Sequence, residues 1–168
     1  MAAFFAALDE RRSERRLTWT AVAREIWEQS AKLNRRRDDH PISPSTIANM
    51  NRRGDTTCQH ALFMLRWLGR NPEDFMVAPN PATMGKPLPA SDSGHRLRWN
   101  LKRLYATLNA ARLRRGATWR QAASHLACTP SQLTGLRTAK FATSFRLAMR
   151  ICQNLHRPAA DFVDVATW

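Results

Sequence analysis

The sequence predicts an all-α protein built as two tandem copies of a five-helix unit, joined by a proline-rich linker. Three observations carry this expectation. Apolar residues recur at helical spacings of three and four, as in Leu97, Leu101, Leu104, Leu108 and Ala111. The chain aligns with itself, residues 4–26 falling on 104–126 and residues 42–50 on 128–136. Between the copies, VAPNPATMGKPLPASDS (77–93) has four prolines, one glycine and little apolar content, the composition of a semi-rigid spacer.

The self-alignment runs at two offsets. At 100, Thr18-Trp19 falls on Thr118-Trp119, Ala23 on Ala123 and Ile26 on Leu126, with Phe4, Phe5, Leu8 and Arg12 on Leu104, Tyr105, Leu108 and Arg112. At 86, ISPSTIANM falls on CTPSQLTGL, and further on PEDF (72–75) resembles PAADF (158–162) with a slip of one. The difference, 100 − 86 = 14, is an insertion in the first copy, at about 27–41. The expected organisation is a first domain over 1–76, a linker over 77–93 and a second domain over 94–168.

Element by element, the first copy reads as helices over about 2–15, 19–33, 44–52, 57–69 and 72–75. In the second copy the stripe that begins at Leu97 makes the first helix, with Asp92 or Ser93 to cap it and Gly116 to end it. Thr118 caps the next, which buries Trp119, Ala122, Ala123 and Leu126. The third has Thr129 at its N-cap and Pro130 at the first helical position, where a missing N–H costs nothing, and buries Leu133 and Leu136. The fourth runs from about 143 to 155 with Leu147, Ala148, Ile151, Cys152 and Leu155 inward. A short fifth follows Pro158.

Composition narrows the function. The net charge is +14 and the pI about 11.5, a balance that favours a polyanionic partner. All but four of the 27 basic residues are arginine, whose planar fork suits phosphates and guanine edges. Residues 1–76 carry 13 basic and 10 acidic residues (+3), whereas 77–168 carry 14 and 3 (+11). Three widely spaced cysteines, Cys58, Cys128 and Cys152, argue against a disulfide framework and for a reducing cytoplasm. No run of about 18 apolar residues predicts a membrane span, and MAAFFAALDERR lacks the basic start of a signal peptide. The expected location is the cytoplasm, in association with the nucleoid.

The stretch ATWRQAASHLACTPSQLTGLR (117–137) holds two short helical patterns interrupted by Ala127-Cys128-Thr129. Such a break lets the second helix cross the first and project from the body, the helix-turn-helix arrangement. The second helix then presents its N-terminal turn to base edges in a major groove while the first braces it against the DNA backbone.

On these residues each copy resembles the Xre family of phage-repressor-like (lambda-repressor-like) helix-turn-helix domains. LTWTAVAREI, ISPSTIANMNRRG and MLRWLGRNPEDF carry the likeness in copy one; ATWRQAASHL, CTPSQLTGLR and RPAADF carry it in copy two. The likeness spans roughly 4–76 and 97–163. The chain departs from the family's usual pattern in having tryptophan at 19 and 119 where glutamine is common. It also has Asn51 and Arg137 where glutamate is common, and Lys140 where glycine is common.

The resemblance implies a sequence-specific regulator of transcription that binds double-stranded DNA without cofactor, repression by occlusion being the commoner outcome. By position it places Pro44, Ser45, Thr46 and Asn49 of copy one in the groove, and Pro130, Ser131, Gln132, Thr134 and Gly135 of copy two. Trp19, Arg52, Arg53, Trp119, Arg120, Arg137 and Lys140 would face the DNA backbone. Glutamine and asparagine can bond adenine through two atoms, and serine and threonine serve several bases. With two units on one polypeptide, a monomer can act as a pseudo-dimer; a homodimer is the other expectation.

Plainer readings stand beside these. Trp19 and Trp119 share the core face of their helices, Ser43 and Thr129 are helix caps first, and NRRRDDH (34–40) reads as a solvated loop. His125, Cys128, Cys152 and His156 have spacings that zinc could use, but the repeat places both cysteines at apolar positions, so no metal is expected. With no carboxylate pair or catalytic motif in sight, an enzyme is not expected. One rival function has copy two bind DNA while copy one mediates dimerisation or protein contact; another is an antitoxin-like adaptor without specific DNA binding.

Overall fold

A computed structural model describes residues 1–139 and 142–167. The chain is punctuated by hydroxyl caps at corresponding places in its two halves. In the first half α1 (Ala2–Glu14) leads. Thr18 then accepts from Ala21 N to open α2 (Trp19–Glu28), Ser43 from Thr46 N to open α4 (Pro44–Ala48), and Thr57 from His60 N to open α6 (Cys58–Leu68). In the second half α7 (Leu101–Arg114) leads. Thr118 accepts from Gln121 N to open α8 (Trp119–His125), Thr129 from Gln132 N to open α9 (Pro130–Gly135), and Ser144 from Leu147 N to open α10 (Phe145–Asn154). Each cap satisfies an otherwise orphaned amide and stabilises its helix by about 1 kcal/mol.

The molecule is mainly helical, with differences from the expected boundaries. The segment read as one helix over 19–33 breaks after Glu28, and a second short helix, α3 (Ala31–Asn34), follows. The one over 44–52 re-registers at Asn49 into α5 (Met50–Arg53) and ends at Gly54, whose φ of +64° is cheap only for glycine. The short fifth helices are single 3-10 turns, Pro72–Phe75 and Ala159–Phe162.

Leu97 is a correction. It lies not in a helix but in β1 (Arg96–Trp99), which pairs antiparallel with β2 (Val163–Ala166), Leu97 opposite Val165. The ribbon is the one departure from an all-α fold among the described residues. Neither Asp92 nor Ser93 caps the helix that follows; Asn100 does, accepting from Arg103 N at 2.8 Å. Leu97 stands four before Leu101 and so mimics a helical stripe, but the strand buries both Leu97 and Trp99.

Each half buries its own stripe. Phe4, Leu8, Val22, Ile26, Ile47 and Met50 of the first half, and Leu104, Leu108, Ala123, Leu126, Leu133 and Leu136 of the second, are buried in the core. The two cores are continuous. The Phe4 ring lies 4.9 Å from Phe75 and 5.8 Å from Phe145 of the other half. At the seam Cys58 N donates to Thr143 O at 2.7 Å and Phe145 N to Thr56 O at 2.8 Å. These reciprocal bonds, each just ahead of an equivalent helix, give the junction a two-fold-like arrangement.

The insertion and the proline-rich segment are tied into this body. Fully buried Arg96 donates to Asn34 Oδ1 at 2.8 Å and to Asp39 at 3.0 Å, both from the insertion. Arg37 and Arg96 hold the Asp39 carboxyl down at a pKa of about 2. Arg66 of α6 donates to the carbonyls of Gln29 and Ser91 at 2.8 and 2.7 Å. Along 77–93, Asn80 N donates to Gln153 at 2.7 Å, Thr83 is buried and accepts from the same side chain, and Leu88 N donates to Asn71 at 3.1 Å. The segment is therefore a docked strap with bonds to both halves.

Candidate nucleic-acid interface

The break that stood out in the sequence has a local cause. Ala127 takes a left-handed φ of +47°, so the chain reverses after α8. Ala127 N and Cys128 N close the helix end on Ser124 O and Ala123 O at 3.1 and 2.9 Å, and Arg150 Nη1 holds Ala127 O at 3.0 Å. Pro130 then starts α9 at N1. Leu133 and Leu136 anchor it in the core, which leaves Ser131, Gln132, Thr134 and Arg137 facing outward.

On α9 the outward polar groups are partly engaged. Gln132 Oε1 accepts from Thr129 N at 2.8 Å, completing a capping box, so its carbonyl is occupied and its Nε2 is the end left to a ligand. Ser131 Oγ lies 3.1 Å from Thr129 Oγ1, and Thr134 Oγ1 donates back to Pro130 O at 3.2 Å. Gly135 is half-buried beside them. Pro44 stands at the first position of α4, and the hydroxyls of Ser45 and Thr46 lie 3.0 and 2.8 Å from Ser43 Oγ. Asn49 donates to Ser45 O at 2.9 Å and accepts from Arg52 at 3.3 Å.

Both helices open onto the seam between the halves. Thr46 and Arg53 help line a recess of about 380 Å³ that reaches Asp55 and Ser144. Ser131, Gln132 and Gly135 line a neighbouring recess of about 340 Å³, and the two share Ala142 and Ser144. Asp55 fixes the seam: its carboxylate accepts from Thr56 N at 2.8 Å and from the Ser144 hydroxyl. Burial lowers the pKa of His60 in the first recess, so it stays neutral there near pH 7.

The surrounding charge is basic. Arg53, Arg120 and Arg137 are exposed and make no ion pair among the described residues, and Arg52 donates to Asn49. Lys140, expected at the backbone, lies outside the described residues. The three acids of 77–168 stand elsewhere, Asp92 with His95 in the strap, Asp161 with Arg157 beside the 3-10 turn and Asp164 with Arg103 in the ribbon.

Trp19 and Trp119 are half-buried packing residues in this arrangement. Trp19 lies against Phe5 at 5.6 Å with the Arg12 guanidinium 5.0 Å from its ring; Trp119 stacks on Tyr105 at 5.5 Å with Arg112 at 4.6 Å. Of the residues weighed for zinc, Cys152 is buried, Cys128 half-buried, and His125 and His156 are exposed, His156 bonded to Asn80. The described residues contain no group of three or more side chains placed to hold a metal. No helix among them is long and apolar enough to cross a membrane.

Sequence reasoning missed the seam residues Thr56, Thr143 and Ser144, because backbone pairing across a repeat junction leaves no side-chain pattern. A signal for one part existed: Thr57 and Ser144 are matching helix starts at an offset of 87. It also missed Gln132's second role, although a threonine followed three residues later by glutamine is a capping-box signature. Comparison of the chain with known protein families, with characterised proteins and with solved structures returns no match.

Proposed function

We propose that the chain is a sequence-specific double-stranded DNA-binding protein of the transcription-regulator kind, reading bases through the N-terminal turns of α4 and α9. The observation that carries this reading is the reciprocal pairing of Thr56–Cys58 with Thr143–Phe145. It relates two equivalent, outward-facing polar helices across one seam, within a single polypeptide. Single-copy helix-turn-helix proteins dimerise so that two recognition helices meet successive major grooves about 34 Å apart; here one polypeptide carries both helices. Unpaired arginines beside both helices supply charge for the intervening phosphates. The helix sequences differ, PSTIA against PSQLTG, so the preferred site is asymmetric.

The test is selection of bound sites from random duplex DNA, followed by footprinting and native mass spectrometry. An asymmetric two-part site covered by one chain supports the proposal. Binding with no sequence preference, or none at all, overturns it. A second reading rests on the charge split, +3 in residues 1–76 against +11 in 77–168. In it α9 alone reads DNA and the first half contacts protein. A palindromic site bound by two chains through α9 alone is its signature.

A further inference from the structure

The outer faces of α1 and α7 occupy equivalent positions at an offset of 100 and carry opposite charge. On α1 the exposed positions are Ala2, Ala3, Ala6, Glu10, Ser13 and Glu14; on α7 they are Lys102, Arg103, Ala106, Ala110, Leu113 and Arg114. Glu10, Glu14, Lys102 and Arg114 make no ion pair among the described residues, while Arg103 is held by Asp164. Leu113 is 61% exposed and adds apolar area to the α7 face. Ala106, Ala110 and Arg114 border a recess of about 430 Å³ closed on its other side by Leu155 and Arg157.

We propose that α1 of one chain docks antiparallel on α7 of a second copy. That orientation brings Glu10 and Glu14, in the second half of α1, beside Lys102 in the first turn of α7. It sets Leu113 against Ala2 and Ala3, and apposes the helix dipoles favourably. Alanines at the crossing let the backbones approach closely, near the lower end of the usual 8–10 Å. The parallel arrangement would instead place Ala3 against Lys102 and Glu10 against Ala110, leaving only Glu14 beside a cation, Arg114, with the helix dipoles aligned unfavourably. Because the two faces differ, every chain offers one of each, and assembly grows head to tail or closes as a ring, the smallest being a two-fold dimer in which each α1 sits on the other chain's α7. This inference does not depend on DNA binding.

Sedimentation velocity of the full chain without DNA, at about 0.15 M salt where the net charge is screened beyond ~8 Å, tests it. The weight-average sedimentation coefficient is expected to rise with concentration above the monomer value. Glu14→Lys and Lys102→Glu should each weaken association by about tenfold, although one raises and the other lowers the net charge. The double variant, and an equimolar mixture of the two single variants, should regain association to within about threefold of the parent. A monomer at every concentration, association unchanged in both single variants, or failure of both the double variant and the mixture to regain association would overturn the proposal.

Discussion

Gln132 gives the sharpest test of the interface, because its two ends do different jobs. Its carbonyl accepts from Thr129 N at 2.8 Å, while its amide nitrogen is the end that the proposed function assigns to an adenine. Gln132→Ala removes both. The freed Thr129 amide is exposed and can bond water, so the loss of the cap costs about 0.5–1 kcal/mol. In a chain of 168 residues that is a fall in Tm of about 1–4 °C. Gln132→Glu separates the two jobs. A carboxylate accepts the same amide and sits well in the first turn of a helix, so Tm holds or rises. It cannot donate to adenine N7, so both variants should lose about 1–3 kcal/mol of discrimination at one base pair. Thermal unfolding and competition binding of the selected site against random duplex measure the two quantities side by side. If Gln132→Glu kept the parent's preference for its site, the amide would not be reading a base and the reasoning for α9 would fail.

Other outcomes follow from the same geometry. DNA affinity should fall steeply with salt, at a log–log slope near −5 for about six neutralised phosphates; a slope near zero refutes a phosphate-based interface. Arg96→Ala leaves Asn34 Oδ1 without its donor and opens a cavity, so denaturant titration should show a loss of about 3 kcal/mol. Asp39 has a depressed folded-state pKa of about 2, so its contribution is present above its unfolded value near 3.9 and disappears as pH falls through about 2. Stability measured between pH 5 and 2 should show that loss in the parent, and a smaller one in Arg96→Ala. Burial pushes the Cys58 thiol up to about 12 and Cys152 well above its ordinary value, so alkylation at pH 8 should label half-buried Cys128 first; early labelling of Cys152 would contradict the packed core.

Local features were legible where one residue type answers one local demand. Thr118, Ser43 and Thr129 stand where helix starts need hydroxyls, Pro130 where an N–H is dispensable, and Gly116 where a chain leaves a helix with positive φ. The repeat was legible because both halves bury the same stripes. What misled was Leu97, whose spacing fits a helix but whose partner, Val165, lies 68 residues on (165 − 97) in the strand register. Gln132 was legible as an exposed amide but not as a half-occupied one, since its bond to Thr129 N depends on a rotamer.

By itself the sequence determined the helical class, the self-similarity of its two halves, the polar helices α4 and α9, and the basic bias of the second half. Caps, periodicity and charge act within a few residues and need no partner to be read. Only the tertiary structure decided how the halves meet. The seam at Thr56–Cys58 and Thr143–Phe145 is made by main-chain groups, which every residue carries alike, so no residue type announces it. The strap and the insertion depend on Arg66 and Arg96, whose burial is tolerable only because carbonyls and side chains from distant segments converge on them. That convergence is a property of the folded chain, and it sets where the two outward helices stand with respect to each other.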